Sequence, residues 1–206
     1  MGFLQDHCYF SPYTEDVASF CERFSCGNDD MDDFFRNDAF EYTLFKMGRS
    51  YCFRLTDHPE TIVCVFTLSN DSIRIYDLPR TRKDHMLQIT HHQKRLNRYP
   101  GILLGRIAVN KQFERKGVGS EVLDFIKEWF SNDNYPSGCR FVIVDAVNDK
   151  KTLSFYQKND FVFLFSSEIQ EDLYTNPPKD ESERLSRTKR PSHLRTRIMY
   201  FDLLDW

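Results

Sequence analysis

The chain has 206 residues, 40% of them hydrophobic and 15% aromatic, with a formal net charge of -3. That length supports one sizeable core, so a single domain over 1–206 is expected, and the Phe-led aromatic content excludes a disordered or fibrous chain. The slight acidity gives no global attraction to nucleic acid.

No apolar run approaches the roughly 20 residues that cross a bilayer, and the first residues lack the basic-then-apolar order of a signal peptide. Cysteines at 8, 21, 26, 52, 64 and 139 show neither the close pairs of a zinc site nor the density of a disulfide scaffold. A soluble, cytoplasmic chain with reduced, mostly buried thiols is the expectation.

Taken in order, Cys26-Gly27-Asn28-Asp29-Asp30 supplies a turn and a capping residue. After it Met31, Phe34, Phe35, Tyr42 and Phe45 recur at roughly helical spacing, which predicts an amphipathic helix with acidic groups in its first turn. Ser50–Leu55 and Thr61–Leu68 are rich in Val, Ile, Phe and Cys and are separated by Asp57-His58-Pro59-Glu60, the pattern of a β-hairpin. Ser72–Tyr76 is expected to extend the sheet. The basic stretch from Arg80 to Arg98, with Arg82, Lys83, Lys94 and Arg95 among His85, His91 and His92, has a weak helical pattern that ends at Tyr99-Pro100-Gly101.

Ile102–Val109 is apolar apart from Arg106, as in a strand buried on both faces. A tight turn follows, then a helix whose Val118, Val122, Phe125, Ile126 and Trp129 share a face, and Gly138 marks the next reversal. Phe141–Val147 reads as a strand. Asn148 or Asp149 caps a helix holding Leu153, Phe155 and Tyr156, and Phe161–Phe165 resumes the sheet. A parallel pair with a crossover helix is expected over 102–147. The acidic stretch 168–183 reads as a loop or excursion, and Arg197–Leu203 as a closing strand. A second basic stretch runs from Arg184 to Arg197; for both, a solvated face is the plain reading.

The chemistry concentrates at Arg115-Lys116-Gly117-Val118-Gly119-Ser120. Two glycines between a strand and a helix let the backbone approach a ligand closely while the helix's first amides point outward, and Arg115 and Lys116 add positive charge, so the turn suits a pyrophosphate. A glycine pair alone also serves simple turns. No Gly-Lys-Ser/Thr follows, and Val122 stands where a dinucleotide fold needs its third glycine, so ATP and NAD are disfavoured. His91-His92 lacks companion ligands and predicts no metal; Ser120 and Cys139 lack the settings of catalytic nucleophiles.

These segments resemble the GNAT acetyltransferases. Glu114-Arg115-Lys116-Gly117-Val118-Gly119 is similar to that superfamily's Gln/Arg-x-x-Gly-x-Gly/Ala signature except at Glu114. Phe155-Tyr156-Gln157-Lys158-Asn159-Asp160-Phe161 is similar to its Phe-Tyr-x-x-x-Gly-Phe segment, with Asp160 for glycine. The resemblance implies an α/β fold with a splayed central sheet flanked by helices, acceptor-side elements mainly in 1–100 and an acetyl-CoA core in 101–165.

It implies further that the pantetheine arm of acetyl-CoA lies along Ile107, Ala108 and Val109 and the pyrophosphate on residues 115–120, with Asp149 at the helix cap by spacing from Tyr156. A primary amine then attacks the acetyl carbonyl directly and Tyr156 protonates the departing thiolate, as a phenol with pKa near 10 can. Phe24-Ser25-Cys26-Gly27-Asn28-Asp29-Asp30-Met31-Asp32-Asp33-Phe34-Phe35 and Leu103–Val109 resemble more narrowly a GNAT subgroup that contains toxins acetylating aminoacyl-tRNA. That implies tRNA as an alternative acceptor, and a homodimer is common in relatives. A non-catalytic CoA-binding relative is the competing class.

Overall fold

The architecture is taken from a computed structural model that describes residues 2–75, 78, 80–81, 83–84, 97–132, 137–189 and 193–206. Tyr76 and most of the stretch from Arg80 to Arg98, including His85, His91 and His92, lie outside those residues. The chain is of the α/β class, with seven strands flanked by helices among the described residues. It divides into two compact units, each discontinuous in sequence: residues 1–70 with 102–137 and Trp206, and residues 71–101 with 138–205.

The first unit begins with α1 (Phe3–His7), β1 (Cys8–Pro12) and α2 (Glu15–Phe20). Each is too short to show a period, so the sequence pattern predicts none of them. Thr14 caps α2 by accepting from the Val17 amide at 3.3 Å. The helix expected after Cys26 is a composite of α3 (Asp29–Asp33), a π-helical turn (Phe34–Asp38) and α4 (Ala39–Leu44). Asn28 caps it through the Met31 amide, and the wider turn lets the adjacent Phe34 and Phe35 both face inward, at 3% and 1% exposure.

The predicted hairpin is β2 (Arg49–Leu55) and β3 (Ile62–Arg74), paired antiparallel with Cys52 opposite Val65 and a register shift at Phe53/Arg54. β3 runs as far as Arg74 and so takes in only residues 72–74 of the segment expected to extend the sheet. β1 pairs antiparallel with the outer side of β2, giving the order β1-β2-β3-β4 once β4 (Arg98–Val109) is added. The strand period of two sorts β2 between two layers. Tyr51 and Phe53 meet Phe10, Phe125 and Trp129, with ring centroids of Phe53 and Phe125 4.9 Å apart and of Tyr51 and Trp129 5.1 Å apart. Cys52 instead faces a core of Tyr13, Phe34, Phe35, Ile62 and Ala108. The first layer is completed by α5 (Val118–Ser131), which buries Val118, Val122 and Ile126 as its periodicity predicts.

The second unit holds β5 (Phe141–Val147), α6 (Lys150–Lys158), β6 (Val162–Phe163), α7 (Glu168–Thr175), α8 (Glu181–Lys189) and β7 (Thr196–Asp202). Its strands run β5-β7-β6, both pairs antiparallel. The outer ends of β3 and β4 also belong here: Gly101 packs so close to Phe141 O and Ile143 that an added Cβ would lie 2.9 and 2.8 Å from them. The strand expected over 161–165 forms only at 162–163.

The expected loop over 168–183 is instead α7 and the start of α8. Ser167 caps α7 through the Gln170 amide, and Glu171, 2% exposed, accepts from Arg197 Nε at 2.7 Å and from the Ile198 amide at 2.5 Å. A paired buried carboxylate thus fixes a helix that composition alone makes look solvated. Asp202 receives Arg140 in two bonds of 2.5 and 2.7 Å, locking the start of β5 to the end of β7.

Candidate active site

In the first unit β4 runs into a short 3-10 turn (Lys111–Phe113) and then into the N-terminus of α5. Gly117 is the N-cap of α5 with φ +83°, and no side chain caps it. Arg115 also has positive φ, at 60°, a conformation uncommon outside glycine. Two left-handed residues so close together turn successive amides toward one side, the geometry of an anion nest. A Cβ on Gly117 would meet only Glu121 Oε1, at 4.0 Å, so glycine is required by the backbone conformation and the space above it is open. Arg115, Lys116 and Gly117 are exposed, whereas Val118 is buried and holds the helix to the core. Ser120 N donates to Gly117 O at 2.9 Å, starting the helix.

Glu114, the departure from the family signature, is exposed. A second carboxylate, Glu121, stands in the first turn of α5. It accepts from the amides of Phe3 at 3.0 Å and Leu4 at 2.6 Å, so its charge is spent on the N-terminus of α1.

The expectation that Ile102–Val109 is buried on both faces is corrected at its C-terminal half. Leu104 and Ala108 are buried, but Leu103, Ile107 and Val109 are half-buried and Gly105 is exposed, so one face of the strand is open along the residues expected to carry pantetheine. On β4, the Arg106 guanidinium lies 3.6 Å from the Phe34 ring centroid and 5.7 Å from that of Tyr42.

In the second unit the cap of α6 is Asp149. Its Oδ1 accepts from the Lys151 and Thr152 amides at 2.8 and 2.9 Å and its Oδ2 from Thr152 Oγ1 at 2.7 Å, which holds its carboxyl below the usual range. Asn148 is committed elsewhere, donating to Leu194 O at 2.8 Å. Tyr156 lies on α6, 7% exposed, between Phe155 and Phe161 with ring centroids 5.2 and 5.4 Å away. Burial pushes its hydroxyl up to about 12. Asp160 takes the glycine position of the family segment with φ +66°, the left-handed conformation aspartate tolerates, and the chain reverses there as Phe161 N donates to Tyr156 O at 3.0 Å.

A cleft of about 420 Å³ in the first unit went unnoticed in the sequence; it is bordered by Tyr13, Phe24, Phe35 and Ile62 with Arg23 and Arg36. It lies against the turn 25–27, where Asp32 accepts from Ser25 Oγ at 2.6 Å and from Cys26 N at 2.7 Å. These contacts hold the Asp32 carboxyl below its usual range despite the desolvation of burial, the largest single influence, which acts upward. Among the described residues no three His, Cys, Asp or Glu side chains gather as for a metal ion, and no helix is long and apolar enough to cross a membrane. None of the six cysteines is in a disulfide, and burial raises the thiols of Cys8, Cys26 and Cys52 to about 11, leaving them un-ionised at neutral pH.

Comparison with known proteins bears on this geometry. Residues 85–163 match the model of the acetyltransferase (GNAT) domain. No curated protein matches the chain. Among solved structures, a tyrosine-to-phenylalanine mutant of KacT superposes with a TM-score of 0.67 at 15% identity, covering 97% of each chain. AtaT complexed with acetyl-methionyl-tRNAfMet gives 0.65 at 15% identity over 96% of each. AtaT bound with acetyl-CoA and the C-terminus of the antitoxin AtaR gives 0.61 at 16% identity, covering 97% of this chain and 96% of that one. At such identities the likeness speaks to the fold, and the matched segment contains the nest, β4, β5 and α6. Over residues 85–163 the chain is thus similar to the acetyltransferase (GNAT) domain, and over nearly its whole length it has the fold of the KacT and AtaT structures.

Proposed function

We propose that the chain moves an acetyl group from acetyl-CoA to a primary amine by direct attack, with residues 115–120 holding the pyrophosphate and the open face of β4 at Ile107–Val109 receiving the pantetheine arm. The observation that carries this reading is the pair of left-handed residues, Arg115 and Gly117, at an uncapped helix N-terminus. Such a nest offers several amides and the positive helix end to a polyanion, and Arg115 and Lys116 each add a charge-assisted bond of about 1.5–3 kcal/mol. Asp149 contributes on this reading by fixing the start of the helix that carries Tyr156.

In the reaction the amine nitrogen bonds to the acetyl carbon and gives up one proton to solvent, the C–S bond breaks, and the thiolate takes up a proton. Tyr156 is the proposed donor. Its hydroxyl stays neutral at physiological pH, as donation requires; with a pKa of about 12, it is a weaker acid than an ordinary thiol near 8.5, so it stabilises the developing thiolate first as a hydrogen-bond donor. Calorimetric titration with acetyl-CoA, with ATP and NAD as controls, tests the assignment: saturable binding of acetyl-CoA alone is expected, and its absence in folded protein favours a non-catalytic relative.

A second reading names the acceptor as aminoacyl-tRNA. It is supported by the AtaT neighbour complexed with acetyl-methionyl-tRNAfMet and by the two local basic stretches, since phosphate contacts dominate affinity for nucleic acid. Acetyl transfer to charged but not uncharged tRNA, weakening steeply with salt, is its test. A homodimer in the cytoplasm is part of the same proposal, checked by light scattering of purified protein.

A further inference from the structure

The first turn of α5 carries one acid, Glu121, and its carboxylate is bound to a different helix. Its two oxygens accept separately from Phe3 N at 3.0 Å and Leu4 N at 2.6 Å, both on α1. Gly2 sits against the same group: a Cβ there would lie 2.6 Å from Glu121 Oε2 and 2.7 Å from its Cδ. With φ -121° and ψ 165°, Gly2 is extended backbone that any residue adopts. Glycine at this position therefore serves the close approach of the carboxylate and not the shape of the chain.

Glu121 is also within range of the nest. A Cβ on Gly117 would lie 4.0 Å from Glu121 Oε1, and no side chain caps the first amides of α5. A carboxylate in the first turn of a helix is drawn to those amides by the same partial positive charge that draws a phosphate. Two sets of backbone donors thus compete for one carboxylate, those of Phe3 and Leu4 and those at the start of α5, and the structure holds the first arrangement. The packing of α1 favours it. The Phe3 ring centroid lies 5.5 Å from that of Phe113, and Lys116 Nζ, in the nest, lies 5.1 Å from the same Phe113 ring.

We propose that Glu121 gates the diphosphate site: bound to α1 it leaves the nest open to acetyl-CoA, and displaced from α1 it turns onto the amides of its own helix and competes with the diphosphate. The inference rests on the assignment of residues 115–120 to the pyrophosphate and adds a regulation of that site. Glu121 is a positioning residue, acting through α1, and α1 supplies the donors that keep its charge off the nest. Lifting α1 from α5 closes the site with no change in the backbone of the nest.

Gly2→Ala isolates the carboxylate, because the added methyl displaces the flexible end of Glu121 and leaves both amide donors in the chain. Calorimetric titration of the full-length protein with acetyl-CoA should show binding weakened at least about fivefold by Gly2→Ala, and by less than about twofold when the same substitution is made in a chain already carrying Glu121→Ala. Phe3→Pro is a second route to the same displacement: it removes one donor at the first position of a helix, where proline is accommodated, and follows a residue already in the extended region that precedes proline. Its effect should depend on Glu121 in the same way, and thermal melts report that each variant is folded. Wild-type affinity in both Gly2→Ala and Phe3→Pro overturns the gate. So does an equal loss with and without Glu121, which assigns the effect to the packing of α1 on Phe113. The wild-type titration separates the two levels of inference: binding of acetyl-CoA without coupling to Glu121 sinks the gate alone, and no binding of acetyl-CoA removes the assignment beneath it.

Discussion

Replacing Gly117 separates two contributions that the nest combines. Gly117→Ala adds a methyl group that meets nothing closer than Glu121 Oε1 at 4.0 Å, so its cost comes from the backbone at φ +83°, about 1–2 kcal/mol. If the turn keeps its shape, that cost appears as lost stability, with acetyl-CoA affinity within a few-fold of wild type. Gly117→Glu carries the same backbone cost and puts a carboxylate into the space where phosphate is expected. At a separation of about 5 Å and an effective dielectric of about 20, each like-charge pair is unfavourable by ~3 kcal/mol, a loss of about a hundredfold in affinity. Calorimetry for acetyl-CoA beside a thermal melt of each variant reads both numbers. Wild-type affinity in Gly117→Glu would place the diphosphate elsewhere and refute the assignment of the nest.

Tyr156→Phe should lower kcat at least tenfold while shifting the KM for acetyl-CoA by less than about threefold, because the ring is kept and only the donor is lost; unchanged turnover removes the residue from the mechanism. With the hydroxyl at about 12, no limb of the pH–rate profile between pH 6 and 9 should vanish in that variant. Asp149→Ala should destabilise the fold by about 1 kcal/mol through loss of the cap, measured by urea unfolding. Since the folded-state pKa of Asp149 is lowered, its contribution is fully present above the ordinary aspartate value and fades as pH falls through the lower, folded one. The gap between variant and wild type should therefore close in acid; a gap constant from pH 7 to 2 contradicts the ionised cap. Glu171→Ala leaves Arg197 buried without its partner and should cost about 3–5 kcal/mol, seen as a fall in melting temperature; a loss below 1 kcal/mol means the pair is dispensable.

Much of the fold was legible because its signals are local. The hairpin, α5, β5 and β7 each have a full period of apolar residues, and the glycine turn at 117 announces itself between strand and helix. What escaped has physical reasons. Residues 3–20 form elements of five or six residues, too short for a period to be seen. The helices at 168–189 are polar because they are held by charge: Glu171 to Arg197, and Arg187 to Asp172 and Glu183. A rule that equates polarity with solvent misreads such a segment. The cap of α6 was ambiguous between Asn148 and Asp149 because both side chains have the chemistry, and the choice was made by the segment just before β7, far away in sequence, whose Leu194 O takes the Asn148 amide. The cleft of Arg23 and Arg36 was invisible for a related cause. Its walls come from α2, the turn after it and the π-helical turn, and no linear spacing links them.

The π-helical turn at Phe34–Asp38 also sets an angular phase. A residue inserted into or removed from an α-helix rotates everything beyond it by about 100°, and here the wider turn absorbs such an offset without breaking the helix. Before the offset the helix faces the turn of Ser25 and Cys26 through Asp32; after it, Tyr42 reaches Arg106 on β4. Deleting one residue from this turn would restore an ordinary helix and swing Tyr42 off the strand while leaving Asp32 in place. A single-residue length change here thus acts as a rotary adjustment between the turn at Ser25 and Cys26 and β4.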